Sequence, residues 1–285
     1  MVPSGKHKIG IIAGGGELPR RIIAACQKNG QDFHVIAFKD QTDKQTTENI
    51  TDKCNWLRLG AIGGAIDILK KQNCKELVMG GKINRPGFTS LLPDLRTAKF
   101  FLKTGAMAMG DDGLLSTIVK TLEEDEGFRI IGVHNVLPEL LAPDGVLGNV
   151  SPNEAEMKDI KTAVHAALDL GRKDLGQGAV VSGGNIIALE EKDGTDAMLA
   201  RVAELGISGG VLVKVVKPGQ ERRVDLPTIG IETVEGVVKA NLSGIGIESG
   251  GAIIVDRELV VEAANSLGIF IIGLNISEFD AGFDA

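Results

Sequence analysis

The segment from Lys214 to Gly230 carries the densest set of chemically useful side chains in this sequence. It places Lys217, Arg222 and Arg223 near one carboxylate, Asp225. Prolines and a glycine interrupt the segment, so these side chains are predicted to project from a loop between apolar strands. Cations beside a carboxylate favour its ionised form and can hold phosphate oxygens. The segment therefore indicates either a phosphate-binding catalytic site or a solvated turn, and on spacing alone the Asp-x-Pro pattern favours the turn.

Two glycine-rich turns each follow a predicted strand. Residues 14–16 are three glycines after the first strand, and Gly80, Gly81 and Lys82 follow the third. In a parallel sheet such turns open onto one crevice, where helix N–H groups and Lys82 could meet anionic oxygens. The pattern G-x-G-x-x-G is missing, which argues against a dinucleotide site, although Asp40 at the end of the second strand lies about where a ribose-binding acid would be. Plain tight turns are the other interpretation.

Two acidic segments open predicted helices, at Asp111 and Asp112 and at Asp193 to Asp196. Helix capping accounts for one acid in each segment, with Thr195 or Asp196 as the cap of the second. The adjacent pair Asp111 and Asp112 is also compatible with Mg²⁺ binding.

The stretch from residue 91 to residue 103 mixes apolar and basic side chains. It is typical of a core helix with a solvated face. It is also compatible with an acyl-chain groove or with a helix that rests on an anionic membrane surface.

The composition limits the function classes. The chain has 285 residues, a net charge of −7 and 38 glycines, about twice the usual share. An acidic chain without a dominant basic surface argues against a nucleic-acid partner. The four histidines lie far apart, which argues against a His-rich metal site and leaves a hard cation such as Mg²⁺. The three cysteines lack metal-ligand spacing and are predicted to be buried, reduced thiols.

The N-terminus lacks the apolar core of a signal peptide. The longest apolar run, around residues 267–274, is far shorter than the ~20 residues that cross a bilayer. The protein is therefore expected not to cross a membrane.

The elements that position these side chains alternate between short β-branched runs and helical patterns, which predicts an α/β fold with largely parallel sheets. The first half is predicted to contain strands at 8–13, 33–38, 76–79 and 128–133, and helices at 17–29, 61–72, 91–103 and 113–126. A proline-rich stretch with little periodicity, residues 135–151, is predicted to link domain 1–134 to domain 152–285. The second half is predicted to contain helices at 153–170, 197–205, 234–241 and 257–267, and strands at 179–181, 186–189, 211–216, 253–255 and 269–273.

Seven motifs in this order resemble the UDP-2,3-diacylglucosamine pyrophosphatases of lipid A biosynthesis, of the type unrelated to metallophosphoesterases. They are I-A-G-G-G-E-L-P (12–19), G-G-K-I-N-R-P (80–86), G-D-D-G-L-L (110–115), G-Q-G-A-V-V (176–181), D-G-T-D-A-M-L-A-R (193–201), G-V-L-V-K-V-V-K-P (210–218) and R-V-D-L-P-T-I-G (223–230). None is specific alone, but together they span nearly the whole chain.

The resemblance implies a Rossmann-like N-terminal domain, a second α/β C-terminal domain and an active site in the cleft between them. It implies Mg²⁺-dependent hydrolysis of the acylated sugar nucleotide to 2,3-diacylglucosamine 1-phosphate (lipid X) and UMP. It aligns Asp225 with the essential acid of the family, as catalytic residue or metal ligand, with Asp111 and Asp112 as further candidate ligands. Asp193 stands where the family usually has Glu, which argues against a metal role there.

The motifs also supply the candidate substrate-binding residues. These are Ala13, Gly14, Gly15, Gly81, Lys82, Gln177, Gly178, Thr195, Lys214, Lys217 and Arg223. The family further implies a homodimer in the cytoplasm that contacts the inner membrane peripherally.

The physical chemistry of the residues agrees with pyrophosphate hydrolysis, which needs charge neutralisation on phosphate oxygens and an oriented water. Mg²⁺ with lysines supplies the first, while Asp225 either orients water or holds the metal. Two other classes stay open: a nucleotide-dependent oxidoreductase built on the first glycine turn, and a non-catalytic protein that binds nucleotides or lipids.

Overall fold

The computed structural model describes residues 7–84, 93–105, 109 and 111–280, without the side chains of Asp111, Asp112 and Asp280. The chain forms two compact units. Unit 1 comprises Met1–Pro138 together with Arg223–Asp225, and unit 2 comprises Glu139–Arg222 and Leu226–Ala285. Residues 223–225 therefore belong to the first unit, although they lie far along the chain from the rest of it.

Unit 1 is built on a parallel sheet. Its strands are β1 (Lys8–Ala13), β2 (Phe33–Phe38), β3 (Cys54–Leu57), β4 (Cys74–Gly80) and β5 (Arg129–Ile131). They lie in the order β3-β2-β1-β4-β5, with all described pairs parallel. This is the order of the first five strands of a doubly wound sheet. The narrower Rossmann-like description stays a prediction.

Helices cover both faces of this sheet. They are α1 (Leu18–Lys28), α2 (Ile62–Lys71), α3 (Leu95–Thr104), α4 (Asp111–Glu124) and α5 (Val133–Val136). The buried residues of α1 are Pro19, Ile22, Ile23 and Cys26, which repeat at helical spacing. Helices α2 and α4 pack on the opposite face, around Leu69, Leu77 and Leu122. The predicted strands at 8–13 and 33–38 are confirmed, whereas β3 was not predicted because its four residues show little alternation.

Unit 2 contains a mixed sheet. Its strands are β6 (Gly145–Leu147), β7 (Gly178–Ser182), β8 (Asn185–Leu189), β9 (Val211–Lys214), β11 (Gly244–Glu248) and β13 (Phe270–Leu274), in the order β6-β13-β11-β9-β7-β8. Strands β9, β11 and β13 are parallel, while β6, β7 and β8 run antiparallel to their neighbours. A separate parallel pair is β10 (Thr228–Ile229) and β12 (Ile253–Ile254). The predicted α/β class is confirmed in both units, but the prediction of largely parallel sheets holds for unit 1 and is wrong for unit 2, where β6, β7 and β8 pair antiparallel.

Helices form two layers around the sheet of unit 2. They are α6 (Glu154–Arg172), α7 (Gly194–Glu204), α8 (Ile231–Lys239), α9 (Arg257–Leu267) and α10 (Ser277–Asp280). Helix α6 packs on one face through residues such as Ile160 and Val164. Helices α7, α8 and α9 belong to the hydrophobic core of the other face. A capping box starts α6, because Asn153 accepts from the N–H of Glu156 and Glu156 accepts from the N–H of Asn153.

The central strand β11 was not predicted from the sequence. Its residues G-I-G-I-E contain two glycines, which weaken a strand pattern. Tertiary packing explains why both positions are glycine. A Cβ on Gly244 would lie 2.4 Å from the ring of Phe270, and one on Gly246 would lie 2.9 Å from Leu274. The glycines therefore leave room for side chains of the neighbouring strand β13.

The cysteines agree with the predicted reduced thiols. Cys26 and Cys74 are buried, Cys54 is half-buried, and all three are free. Burial raises the pKa of each thiol to about 11. In the part of the chain that the structure describes, helices are too short or too polar to span a bilayer.

Gly14 offers a test of the packing between the two glycine turns. A Cβ at this position would lie 2.6 Å from the carbonyl oxygen of Lys82. We expect Gly14→Ala to lower the free energy of unfolding by about 1–3 kcal/mol, measured by urea denaturation, because backbone must shift. The control is Gly64→Ala in α2, where nothing lies within 4 Å. It should raise stability by up to about 1 kcal/mol. Equal behaviour of the two variants would contradict the close approach.

Candidate functional site

The two glycine turns of unit 1 lie side by side at the carboxyl edge of its sheet. They follow β1 and β4, which are neighbours at the point where the strand order changes direction. Gly15 and Lys82 form an isolated antiparallel bridge, with N–H to O distances of 2.8 and 3.0 Å. The structure thus brings together the predicted residues Ala13, Gly14, Gly15, Gly81 and Lys82.

Close approach of the two turns explains their glycines. Gly81 has φ +91°, and a Cβ there would lie 2.5 Å from the carbonyl oxygen of Gly15. The N–H groups of Gly14, Gly15 and Gly16 donate to Gly80 O, Lys82 O and the Asp43 carboxylate, each at 2.8 Å. In this conformation these N–H groups are therefore used inside the protein. The predicted approach of a phosphate to the helix N-terminus stays a prediction, and the exposed Lys82 side chain lies at the same edge.

Residues Arg223–Asp225 are anchored to the rest of unit 1 by Arg223 and Val224. The guanidinium of Arg223 donates to both carboxylate oxygens of Glu123, at 2.7 and 3.2 Å. Glu123 also accepts from the N–H of Ile130, the middle residue of β5. Val224 packs against the hydrophobic core of unit 1. A two-point ion pair and a core contact thus fix the two residues that precede the half-buried Asp225.

The arginines next to Asp225 each have a carboxylate partner elsewhere. Arg223 pairs with Glu123, and Arg222 donates to Glu248 at 2.7 Å within unit 2. Both arginines therefore hold the loop in place, a task that the sequence did not reveal. The predicted metal ligands Asp111 and Asp112 open α4, but their side chains lie outside the described residues.

A second group of predicted residues meets at one edge of the sheet of unit 2. Gly178 is paired with Lys214 across β7 and β9, and Gln177 O accepts from the N–H of Val215 at 3.0 Å. This edge holds the carboxyl ends of the parallel strands β9, β11 and β13. The Nζ of Lys214, a buried residue, donates to the carbonyl oxygen of Thr228 at 3.2 Å.

Glu190 connects Thr195 with Gln177 by hydrogen bonds. Glu190 was not identified as a site residue from the sequence. Its carboxylate accepts from the N–H of Gln177 at 2.9 Å and from the hydroxyl of Thr195 at 2.5 Å. Only 6 % of Glu190 is exposed, so these two donors satisfy a carboxylate that water scarcely reaches. Thr195 is therefore not the helix cap that the sequence predicted, and no described side chain caps α7 at Asp193. Its position directly after β8 was the one available signal for Glu190.

The loop after β9 is anchored by carboxylates as well. Lys217 donates to Asp174 at 3.0 Å, and Glu248 accepts from the N–H of Val216 at 2.9 Å. Glu248 is 6 % exposed and closes β11. Glu248 was also missed in the sequence analysis. The reason is that β11, the strand that carries it, was not predicted.

The described residues do not gather three His, Cys, Asp or Glu side chains around one point that could hold a metal ion. A Mg²⁺ ion can be held by one or two carboxylates together with substrate phosphate oxygens and water. Asp225 fits that mode of binding, since its backbone is fixed and its side chain is partly exposed.

Fold and residue groups together define a two-domain, mixed α/β protein with polar side chains collected at the carboxyl ends of parallel strands. Residues 8–140 match the LpxI N-terminal domain, and residues 143–272 match the LpxI C-terminal domain. The chain is 40% identical to UDP-2,3-diacylglucosamine pyrophosphatase LpxI of Caulobacter vibrioides, over 95% of this chain and 99% of that protein. The chain belongs to the LpxI family, which confirms the resemblance seen in its seven motifs.

The role of Glu123 as an anchor can be tested without an enzymatic assay. We expect Glu123→Ala to free the Arg223 side chain and loosen the loop around Asp225. Because the pair is about one-third exposed, the expected loss is about 1 kcal/mol of local stability. Hydrogen–deuterium exchange in a peptide that covers residues 223–225 should become several-fold faster. Glu124→Ala, one position away and exposed, should leave that exchange unchanged, and equal effects of both variants would refute the anchor.

Proposed function

We propose that this protein hydrolyses the pyrophosphate bond of UDP-2,3-diacylglucosamine in lipid A biosynthesis, and that the reaction requires Mg²⁺. The products are 2,3-diacylglucosamine 1-phosphate (lipid X) and UMP. The observation that carries the proposal is the similarity to a pyrophosphatase of that name along nearly the full length of both chains. The enzyme is thus a hydrolase that acts on a phosphoric anhydride.

Hydrolysis joins the oxygen of water to one phosphorus and breaks that atom's bond to the bridging oxygen. One proton of the water passes to the surrounding solution or to a base, and two phosphate monoesters leave. The barrier is lowered chiefly by positioning and by neutralising charge on the non-bridging oxygens. We assign Asp225 to this step, as the group that orients the water or as a ligand of Mg²⁺, which when bound neutralises phosphate charge.

The fixed backbone at Asp225 supports this assignment. A group that positions water must itself be held within a fraction of an ångström. Val224 in the core and the two hydrogen bonds from Arg223 to Glu123 supply that restraint. Residues that merely close a solvated turn do not need such anchors.

Cations and amide groups supply the remaining substrate contacts. We assign the exposed Lys82 to anionic oxygens, where its positive charge offsets the developing negative charge. We assign the same role to Lys214, Lys217 and Arg223, each of which would meet the substrate in addition to its protein partner, Thr228, Asp174 or Glu123. Gln177 carries a separate argument, because its buried Oε1 has no hydrogen-bond partner among the described residues. A buried acceptor without a partner is costly, and a donor on the substrate would satisfy it. The remaining candidates shape the same edges: Ala13, Gly14, Gly15, Gly81, Gly178 and Thr195.

The acylated substrate suggests where the enzyme works. We propose that it is a cytoplasmic protein that contacts the inner membrane peripherally, and that it forms a homodimer. The family resemblance motivates both statements. Analytical ultracentrifugation that shows a monomer at micromolar concentration would remove the dimer.

Asp225→Ala should abolish turnover while substrate binding and folding persist. If Asp225 only closed a turn, its loss would cost about 1 kcal/mol and hardly affect the rate. Melting temperature, kcat and substrate affinity measured on the same preparation separate these roles. Glu235→Ala, an exposed carboxylate of α8, is the matched control and should behave like wild type. A destabilised variant with near-normal kcat would return Asp225 to a structural role.

Chelation should stop the reaction. With EDTA we expect hydrolysis of UDP-2,3-diacylglucosamine to fall to background, and excess Mg²⁺ should restore it, since phosphate charge would otherwise be only partly neutralised. Mass spectrometry of the products should show UMP and lipid X. Full activity in chelator would exclude the metal requirement, and release of UDP would exclude cleavage of the pyrophosphate bond.

A further inference from the structure

Helix α3 is attached to unit 1 through its polar side chains. Asp94 precedes the helix and accepts from the N–H groups of Thr97 at 2.8 Å and Gly64 at 3.2 Å. Thr97 in turn accepts from the N–H of Ile62 at 3.1 Å. Among the ten residues of α3, Thr97 is the buried one. The start of α3 is therefore joined to the start of α2 by hydrogen bonds.

Ion pairs complete the attachment. Arg96 pairs with Asp67 at 2.9 Å and with Glu126, and Lys70 also donates to Glu126 at 2.7 Å. Burial by itself would raise the pKa of Glu126, but the hydrogen bonds from Lys70 and Arg96 outweigh it and lower that pKa. The carboxylate thus stays ionised and holds Arg96 against the body of the unit.

Two leucines of α3 face outward, whereas Ala98, Phe100 and Phe101 are half-buried. Leu95 is 75% exposed and Leu102 is 86% exposed, the two largest values among the bulky apolar residues that the structure describes. Seven residues are nearly two helical turns, so the two leucines lie on the same side, with Lys99 between them. We call Leu95, Lys99 and Leu102 the leucine face. A water-exposed helix normally has the opposite arrangement, with leucines inside and charges outside.

Charge identifies the partner of this face. Helix α3 contains Arg96, Lys99 and Lys103 and no acidic residue. Arg96 and Lys103 are engaged in ion pairs, whereas Lys99 makes none with the described residues. Exposed leucines with a lysine among them are typical of a helix that lies in the interface of an anionic bilayer. The apolar side chains enter the acyl region while the lysine meets lipid phosphates.

We infer that the leucine face docks the protein on the surface of a bilayer that contains anionic lipid. The observations that carry the inference lie in α3. The inference rests on the proposed function and deepens it, because an enzyme that acts on a diacylated substrate gains from a contact with the membrane that holds it. The face is small, so the association is weak and reversible.

Vesicle co-sedimentation of the full chain tests the inference. The probes are phosphatidylcholine vesicles with and without phosphatidylglycerol. We expect measurable binding to the anionic vesicles, and at least about a tenfold weaker binding for the double variant Leu95→Ser with Leu102→Ser. Lys99→Gln should weaken binding to anionic vesicles more than to neutral ones. All three positions are exposed, so melting temperatures should stay unchanged.

The matched control is Leu205→Ser with Leu259→Ser, which removes two leucines of unit 2 that are 61% and 59% exposed. It should bind vesicles like wild type. No vesicle binding by wild type, or an equal loss in the control, overturns the inference. Dimerisation that is lost in the α3 variant, without vesicle binding, would instead assign the face to a second copy of the chain. Hydrolysis of substrate dispersed in detergent should persist in the α3 variant, which separates this test from that of the proposed function.

Discussion

Parallel strands that end at a common edge are the constraint on which the arrangement of this protein depends. In unit 1 the adjacent strands β1 and β4 deliver two turns to the same edge, and in unit 2 the strands β9, β11 and β13 do the same. Residues as far apart as Gly15 and Lys82 therefore become neighbours. Glycine is required where those turns touch, because a Cβ would meet the backbone of the opposite turn. The same geometry explains why the polar candidate residues of each unit collect at one edge of its sheet.

Buried carboxylates organise the loops at these edges. Glu190 and Glu248 are each 6 % exposed, and each accepts hydrogen bonds from a backbone N–H and from a second donor. A buried carboxylate is costly unless such donors satisfy it, so its partners are held in one arrangement. Gln177 and Thr195 are thereby positioned by Glu190, and Val216 is positioned by Glu248.

The cations near Asp225 in the sequence are largely engaged in structure. Arg222, Arg223 and Lys217 pair with Glu248, Glu123 and Asp174. Such exposed or half-exposed pairs contribute modest stability, but they restrict the path of the loop. The position of Asp225 thus depends on residues in α4 and β5, more than on its neighbours in sequence.

Local features of the sequence determined the element types. Periodicity predicted the longer helices and the buried strands β1 and β2, and the Asn153–Glu156 capping box marks the start of α6, because these signals act over a few residues. The motifs likewise singled out both glycine turns and Asp225. Tertiary structure alone decided the partners: Arg223 meets Glu123 across 100 positions, and the glycines of β11 make sense only against β13. Such pairings depend on which surfaces pack together, and that information is not local to any segment of the chain.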